Sequence, residues 1–287
     1  MRVSYVILHY ITYEDTIQCI KSIFKYTDLD KINLNIIVVD NNSPDDSLSK
    51  IKKSFDRKEI KYIHLDKNEG FARGNNAGFS YAKKHFSPDY IIMCNNDTEL
   101  TSGDIYKEMD RCYKKYNYAV MGPRELLPNG QYYPLSMSIP SLKKLEGAMR
   151  QYRTDIFCYR LHLEKLQMTF YNKFPSLRFQ WNQIELNNSK FHEDIVLHGA
   201  FLIFSKVYIG KFDGIDPRTF LYGEEYLLQQ RIKSHKMISL FNPKIIIKHK
   251  KGQATGHTAG GWRKKAIRRL QYELNSFKVL KKELKKD

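Results

Sequence analysis

Residues 34–56, LNIIVVDNNSPDDSLSKIKKSFD, pass from a run of β-branched residues into a stretch of helical spacing, with Pro44 near the expected first turn. The same change of period recurs on either side. VSYVIL (3–8), KYIHL (61–65), YIIMC (90–94) and AVMG (119–122) read as strands. Segments around 15–26, 72–85 and 103–116 read as helices, with Thr101 and Ser102 as candidate caps for the last. This alternation predicts an α/β fold: a single Rossmann-like, mainly parallel sheet flanked by helices. Ligands of such sheets sit beyond the C-terminal strand ends.

Those ends are polar. His9 and Tyr10 follow the first strand, Asp40, Asn41, Asn42 and Ser43 the second, Asp66 and Asn68 the third, and Asn95, Asn96 and Asp97 the fourth. Asn and Asp also stop strands and start turns through their own side-chain hydrogen bonds, so each cluster alone has an ordinary explanation. Four of them on one rim are hard to explain as independent turns, and they argue for the wall of a site.

The 287 residues are 42% hydrophobic and 13% aromatic, enough to bury a sizeable core. A formal charge of +17 points to an anionic partner, whether nucleic acid, phospholipid head groups or a phosphorylated substrate. Cys19, Cys94, Cys112 and Cys158 are scattered without a CxxC pair, so they read as reduced thiols of a cytosolic protein rather than as zinc ligands. No apolar run approaches the roughly 18 residues of a membrane span, and the N-terminal MRVSYVILHY has no cleavage signature. The expectation is a protein neither secreted nor membrane-spanning.

Three further stretches carry chemistry. NEGFARGNNAG (68–78) is glycine-rich but has neither the trailing Gly-Lys-Ser/Thr of a P-loop nor the spacing of GxGxxG. Its glycines allow close helix packing, or a helix start with Arg73 near a diphosphate. YGEEYLLQQR (222–231) sets two carboxylates at a helix start, where they complement the helix dipole or provide a general base. IIIKHKKG (245–252) ends a strand with His249, either a structural contact or an imidazole ligand. Paired with Asp97, it would suit manganese or magnesium held jointly with substrate phosphates.

After Gly122 the pattern changes. Residues 130–192 hold little strand alternation and suggest helices basic on one side and rich in Tyr, Phe, Leu and Met on the other. Strands resume with GAFLIFS (199–205) and KIIIK (244–248) around a helix near 225–234. We divide the chain into residues 1–122, residues 123–259 with the insertion at about 130–192, and a basic amphipathic segment, 260–287. In that last segment Trp262, Ala266, Leu270, Leu274, Phe277 and Leu284 fall near helical spacing between basic residues. It reads either as a helix packed on the preceding domain or as an interfacial helix on anionic lipid.

Taken in order, VILHY, VVDNNSPDDS, NEGFARGNNAG, MCNNDTEL, HGAFLIFS, FLYGEEYLLQQR and IIKHKKG resemble the inverting family 2 glycosyltransferases of GT-A fold, especially their bacterial rhamnosyltransferase-like branch. The resemblance covers about residues 3–122 and 196–252. It implies transfer of a sugar from a nucleotide diphosphate sugar, UDP- or dTDP-linked, to an acceptor hydroxyl with inversion. The acceptor would be a lipid-linked glycan in bacterial capsular, O-antigen or other cell-surface polysaccharide synthesis. The enzyme would be cytoplasmic, peripheral on the inner face of the plasma membrane.

Carried over by position, Tyr10, Asp40 and Asn41 would lie near base and ribose, with Asp40 accepting from the base ring. Asn68, Arg73, Gly74 and Asn75 would line diphosphate and sugar. Asn95, Asn96 and Asp97 occupy the family's DxD position, so Asp97 would bind Mn2+ or Mg2+ with His249 as its second protein ligand. Glu225 matches the catalytic carboxylate, with Glu224 beside it. Gly199 would back the donor sugar, and His198 and Tyr222 would face the acceptor. Two departures stand out. Asn95 leaves the metal site one carboxylate short of the family pattern, and the base is Glu where Asp is more usual.

Two other classes compete. A nucleic-acid-binding protein fits the charge, with basic and aromatic residues at 143–181 and 262–286, but strand-end carboxylates would repel phosphate without a metal. No nucleic acid is therefore expected as a partner. A sugar nucleotidyltransferase would want a glycine-rich loop with a basic residue after the first strand, and HYITYEDT is not one.

Overall fold

The computed structural model describes residues 1–135, 138–179, 186–250 and 261–286. Lys251 and Gly252 of the strand-end motif, and the boundary drawn between residues 259 and 260, lie outside the described residues.

The first half is the expected alternation: β1 (Arg2–His9), α1 (Tyr13–Lys25), β2 (Asn33–Asp40), α2 (Ser47–Ser54), β3 (Ile60–His64), α3 (Gly70–Phe86) and β4 (Tyr90–Asn95). β1 pairs in parallel with both β2 and β4, and β2 with β3. Covered on both faces, the central strands β1, β2 and β4 read as largely apolar runs rather than alternating ones, whereas edge strand β3 is half-buried. Within β1, Val3, Tyr5 and Ile7 join the core under α1, whereas Val6 joins the core under α3. Two glycines let α3 sit close. A Cβ on Gly78 would come within 2.5 Å of Val6 and 2.8 Å of Val39, and one on Gly74 within 2.6 Å of Leu8.

The second half is laid down differently. β5 (Thr98–Leu100), α4 (Asp104–Tyr116) and β6 (Val120–Leu126) are followed by the helical insertion, α5 (Leu142–Arg160) and α6 (Glu164–Lys173). Then come β7 (His192–Glu193), β8 (Phe201–Ser205), α7 (Lys206–Ile209), α8 (Glu224–Ser234), β9 (Ser239–His249) and α9 (Trp262–Glu283). One nine-stranded sheet results, in the order β3-β2-β1-β4-β8-β6-β9-β5, with β7 also on β9. β8 runs antiparallel to both β4 and β6, so the parallel order expected from the first half stops at β4. β6 and β9 are parallel, with a register shift between Pro123 and Arg124.

The C-terminal stripe has a partner inside the protein. Leu274, Phe277 and Leu280 of α9 form a third core with Leu145, Ala148, Met149 and Ile156 of α5 and Leu227 of α8, and Ile267, Leu270 and Leu284 pack against it. The apolar face offered as a lipid surface is thus covered, because α5 has its own stripe to bury against it. Trp262 stays 57% exposed, edge-on to Tyr159. The four cysteines are free thiols, three of them buried. No described helix is long and apolar enough to cross a membrane.

Candidate functional site

The polar strand ends lie on one rim, and many of their side chains turn inward to tie loops together. His9 is fully buried, its Nδ1 at 2.8 Å from Thr16 Oγ1 and its Nε2 at 2.9 Å from Ser47 Oγ, so it fastens β1 to α1 and α2. Burial lowers its pKa, against the pull of Asp40 and Asp45. Asn96 donates to Thr12 O, Thr12 Oγ1 and Thr16 Oγ1 at 3.2, 2.7 and 3.0 Å, fixing the end of β4 to the start of α1. Part of the amide cluster is therefore the loop chemistry that Asn supplies to strand ends.

The side of the rim assigned to the nucleotide is a hydrogen-bonded frame. Asp40 is 2% exposed at its side chain. Its Oδ1 accepts from Ser43 N at 3.1 Å and Ser43 Oγ at 2.6 Å, and its Oδ2 lies 2.7 Å from His64 Nδ1. Asn41 donates to Asn68 Oδ1 and Gly70 O and accepts from Glu69 N, joining the β2 end to the start of α3. Asn68 and Arg73 line a cavity of about 290 Å³ with Lys67, Glu69, Pro217 and Arg218. Arg73 is exposed and donates to Pro217 O at 3.0 Å. Gly74 and Asn75 are buried, Gly74 against Leu8 and Asn75 donating to Phe71 O, so both hold α3 in place. Tyr10 stands half-buried at the β1 end, before Ile11 at φ +67°.

Asp97 and His249 come together although 152 positions separate them, because β5 pairs antiparallel with β9 and sets Thr98 opposite His249. Asp97 Oδ1 lies 3.5 Å from His249 Nε2, and both side chains are at most 8% exposed. Half-buried Asn95 precedes them on β4.

Glu125 links this pair to the rest of the site, and sequence reasoning missed it. It lies on β6 beyond the apolar AVMG run, past the register shift, where the strand continues as Pro-Arg-Glu-Leu. Its buried carboxylate accepts from His249 Nδ1 at 2.8 Å and meets His198 Nδ1 at 3.0 Å. Burial opposes its charge, but the two imidazoles overcome that and hold it down at about 2. Burial likewise works against a charged His249, yet Asp97 and Glu125 outweigh it and raise the imidazole to about 9. His198 is also raised, Glu125 again prevailing over burial, and it stacks on Tyr133 with ring centroids 4.0 Å apart. A carboxylate at the end of a polar strand extension was the one signal that pointed to Glu125.

Glu225 enters from α8. Tyr222 at φ +68° and Gly223 at φ +82° reverse the chain immediately before the helix. A left-handed tyrosine is uncommon, and this turn aims the helix start at the site. Glu225 Oε1 lies 3.4 Å from Gly199 N, and a Cβ on Gly199 would stand 3.0 Å from that oxygen. Glu225, His198, Glu125 and Tyr133 all line one cavity of about 190 Å³. Glu224 turns the other way: it is 6% exposed, its Oε2 has no hydrogen-bond partner, and burial with the Glu225 charge raises its pKa well above the usual range. The adjacent carboxylates are therefore split, one open to the cavity and one buried with a raised pKa. Tyr222 packs under Arg269 at 5.5 Å.

Among the described residues two donor sets could take a cation, and they share His249. Ligand atoms of Glu125, His198 and His249 lie within 4.8 Å of one another. Both imidazoles, however, turn Nδ1 toward Glu125, which describes shared protons better than a cage. The Asp97 carboxylate and His249 Nε2 form the other set, with His249 oriented from behind by Glu125, the support that metal-binding imidazoles ordinarily have. Mixed oxygen and imidazole donors suit manganese, so these residues fit such an ion.

Residues 4–139 match the family model described as Glycosyl transferase family 2. Curated proteins of two Mycobacterium tuberculosis strains, both described as N-acetylglucosaminyl-diphospho-decaprenol L-rhamnosyltransferase, are 23% identical over 169 residues, or 58% of this chain and 49% of theirs. The chain thus spans about half the length of the curated relatives it matches. Among solved structures, GalNAc-T7 with UDP, GalNAc and Mn2+ aligns with a TM-score of 0.61 at 12% identity, over 94% of this chain and 47% of that one. Residues 1–349 of S. aureus TarS in complex with UDP align at 0.54 and 12% identity, over 94% and 71%. These likenesses show the GT-A fold.

Proposed function

We propose that this chain, whose residues 4–139 match the family 2 glycosyltransferase model, moves a sugar from a UDP- or dTDP-sugar to an acceptor hydroxyl with inversion. The observation that carries this reading is the placement of Glu225 on the cavity it shares with His198 and Glu125, the latter bonded to the His249 that meets Asp97.

In this reading residues 1–122 hold the donor and residues 123–259 the acceptor. The frame of Tyr10, Asp40 and Asn41 receives base and ribose, while Asn68 and Arg73 line the path of diphosphate and sugar. Gly74 and Asn75 act from beneath by seating α3, and Asn96 by seating β4. Asn95 borders the candidate metal site, where Asp97 and His249 would hold Mn2+ or Mg2+. When bound, the ion supplies positive charge to the departing diphosphate.

Glu225 is the general base. It takes the acceptor O–H proton as that oxygen attacks the anomeric carbon from the face opposite the diphosphate, whose C–O bond breaks to release nucleoside diphosphate. Gly199 backs the donor sugar without a side chain that would push Glu225 aside. His198 and Tyr222 face the acceptor, and Glu224 lies buried beside Glu225.

By analogy with the acceptor in the name of the M. tuberculosis relatives, we take the acceptor to be a lipid-linked glycan of bacterial cell-surface polysaccharide synthesis, reached on the cytoplasmic face of the plasma membrane. The test is to incubate the protein and Mn2+ with UDP- and dTDP-sugars and a polyprenyl-diphosphate-linked N-acetylglucosamine. Nucleoside diphosphate released together with acceptor-bound sugar, and lost in Glu225→Gln, is the expected result. Release of pyrophosphate would sink it in favour of nucleotidyl transfer.

A further inference from the structure

The helical insertion is amphipathic the wrong way round for a helix packed on a protein. α6 has no buried residue. The face it turns to α5 is polar: Gln167 Nε2 donates to Asp155 Oδ1 at 2.8 Å, and Tyr171 OH accepts from Gln151 Nε2 at 2.9 Å. Its large apolar side chains point outward instead. Leu166 is 67% exposed, Met168 64% and Phe170 46%, and Phe157 near the end of α5 and Leu161 and Leu177 on the flanking turns are each more than half exposed. Exposed apolar side chains in this number on one hairpin are what an interaction site offers.

Charge selects the partner. Between residues 157 and 178 the exposed cations are Arg160, Lys165, Lys173 and Arg178, and the one acid, Glu164, is hydrogen-bonded to Arg263. A second copy would bring the same excess of cations against this one, with no acid to pair with them across a two-fold axis. Exposed Trp262 stands beside the same end of α5 through Tyr159. Large apolar side chains rimmed by Lys and Arg, with an indole at the edge, match the boundary between head groups and acyl chains of an anionic bilayer.

We propose that the α5–α6 hairpin, residues 157–178, is the surface by which this protein docks on anionic lipid. The apolar side chains enter the head-group boundary and the four cations face the lipid phosphates. This moves the contact from α9, whose stripe is buried, to the insertion that packs beside it. Docking is independent of the transfer reaction proposed above, because it can be read with neither donor nor acceptor present.

The experiment is sedimentation of the full chain with vesicles of phosphatidylglycerol and phosphatidylcholine in equal parts, and of phosphatidylcholine alone. Two double variants accompany it, Leu166→Glu with Met168→Glu, and Lys165→Glu with Lys173→Glu. All four positions are exposed, and circular dichroism checks that each variant folds. Docking predicts sedimentation with the anionic vesicles alone, weakening as salt screens the cations and falling about tenfold or more in both variants. Equal binding by wild type and variants would overturn the proposal, as would equal binding to both vesicles or none to either. So would a dimer in size-exclusion chromatography that the apolar variant abolishes while the wild type ignores lipid, since the occupant would then be a second copy.

Discussion

Glu125 accepts a hydrogen bond from His249 Nδ1 at 2.8 Å, leaving the other ring nitrogen of His249 turned toward Asp97. The carboxylate thereby fixes which nitrogen is available to a cation, and it does so from β6, the strand beside the one that carries the histidine.

Replacing Glu125 with Gln should therefore weaken metal binding without touching a ligand. We expect Mn2+ affinity to fall by roughly 10- to 100-fold, the usual cost of losing such support. Calorimetric titration of Mn2+ into the wild type and Glu125→Gln measures this, and equal affinities would show that Glu125 does not orient His249.

The raised pKa of His249 gives the metal-free protein a defined pH response. A histidine whose folded value lies above its unfolded one contributes stability in full below about 6.5, and that contribution is lost as pH rises through about 9. The loss is at most about 3 kcal/mol. Thermal melts in chelator between pH 6 and 9.5 should show wild type falling faster than His249→Gln. Glu125 works at the other end: its depressed value contributes above about 4.5, and that contribution disappears as pH falls toward about 2.

The two glutamates of α8 should separate cleanly. Glu225→Gln should lower kcat by roughly 10²- to 10⁴-fold, the range of a general base, with donor binding retained. Glu224→Gln should leave kcat within a few-fold. Glu224 has a raised pKa, so its contribution to stability is present below its unfolded value of about 4.5 and is lost as pH rises through its folded value. Relative to the wild type, Glu224→Gln should thus gain melting temperature as pH rises, by roughly 2 °C or more at pH 8. Kinetics and melts on both variants decide, and equal losses of kcat would erase the distinction.

Two glycines test packing at different distances from the chemistry. Gly78→Ala would set a methyl 2.5 Å from Val6 inside the core and should cost about 1–3 kcal/mol in a denaturant titration. Gly199→Ala would set one 3.0 Å from Glu225 Oε1, so its loss should appear in kcat with the fold intact.

The parallel half of the sheet was legible because its strands are rich in β-branched and aromatic residues and end in polar ones. The wall of strand ends was legible for the same reason. What those ends do was only partly readable, since an Asn96 that ties β4 to α1 and an Asp97 that meets His249 look alike as adjacent letters. Glu125 was hidden because its strand is prolonged through Pro123 and a register shift, where no apolar period marks it. The stripe on α9 was correctly seen as apolar, but which surface covers an apolar stripe depends on a partner elsewhere in the chain. Here that partner is α5, in a region without a recognisable motif.

Leu227 of α8 lies in the core that α9 makes with α5, two residues from Glu225. The last described helix is therefore a buttress for the element that carries the candidate base. Cutting it away to remove a basic appendage would loosen the seat of Glu225 as well, so a truncated protein that lost activity would report a collapsed support rather than a missing tether.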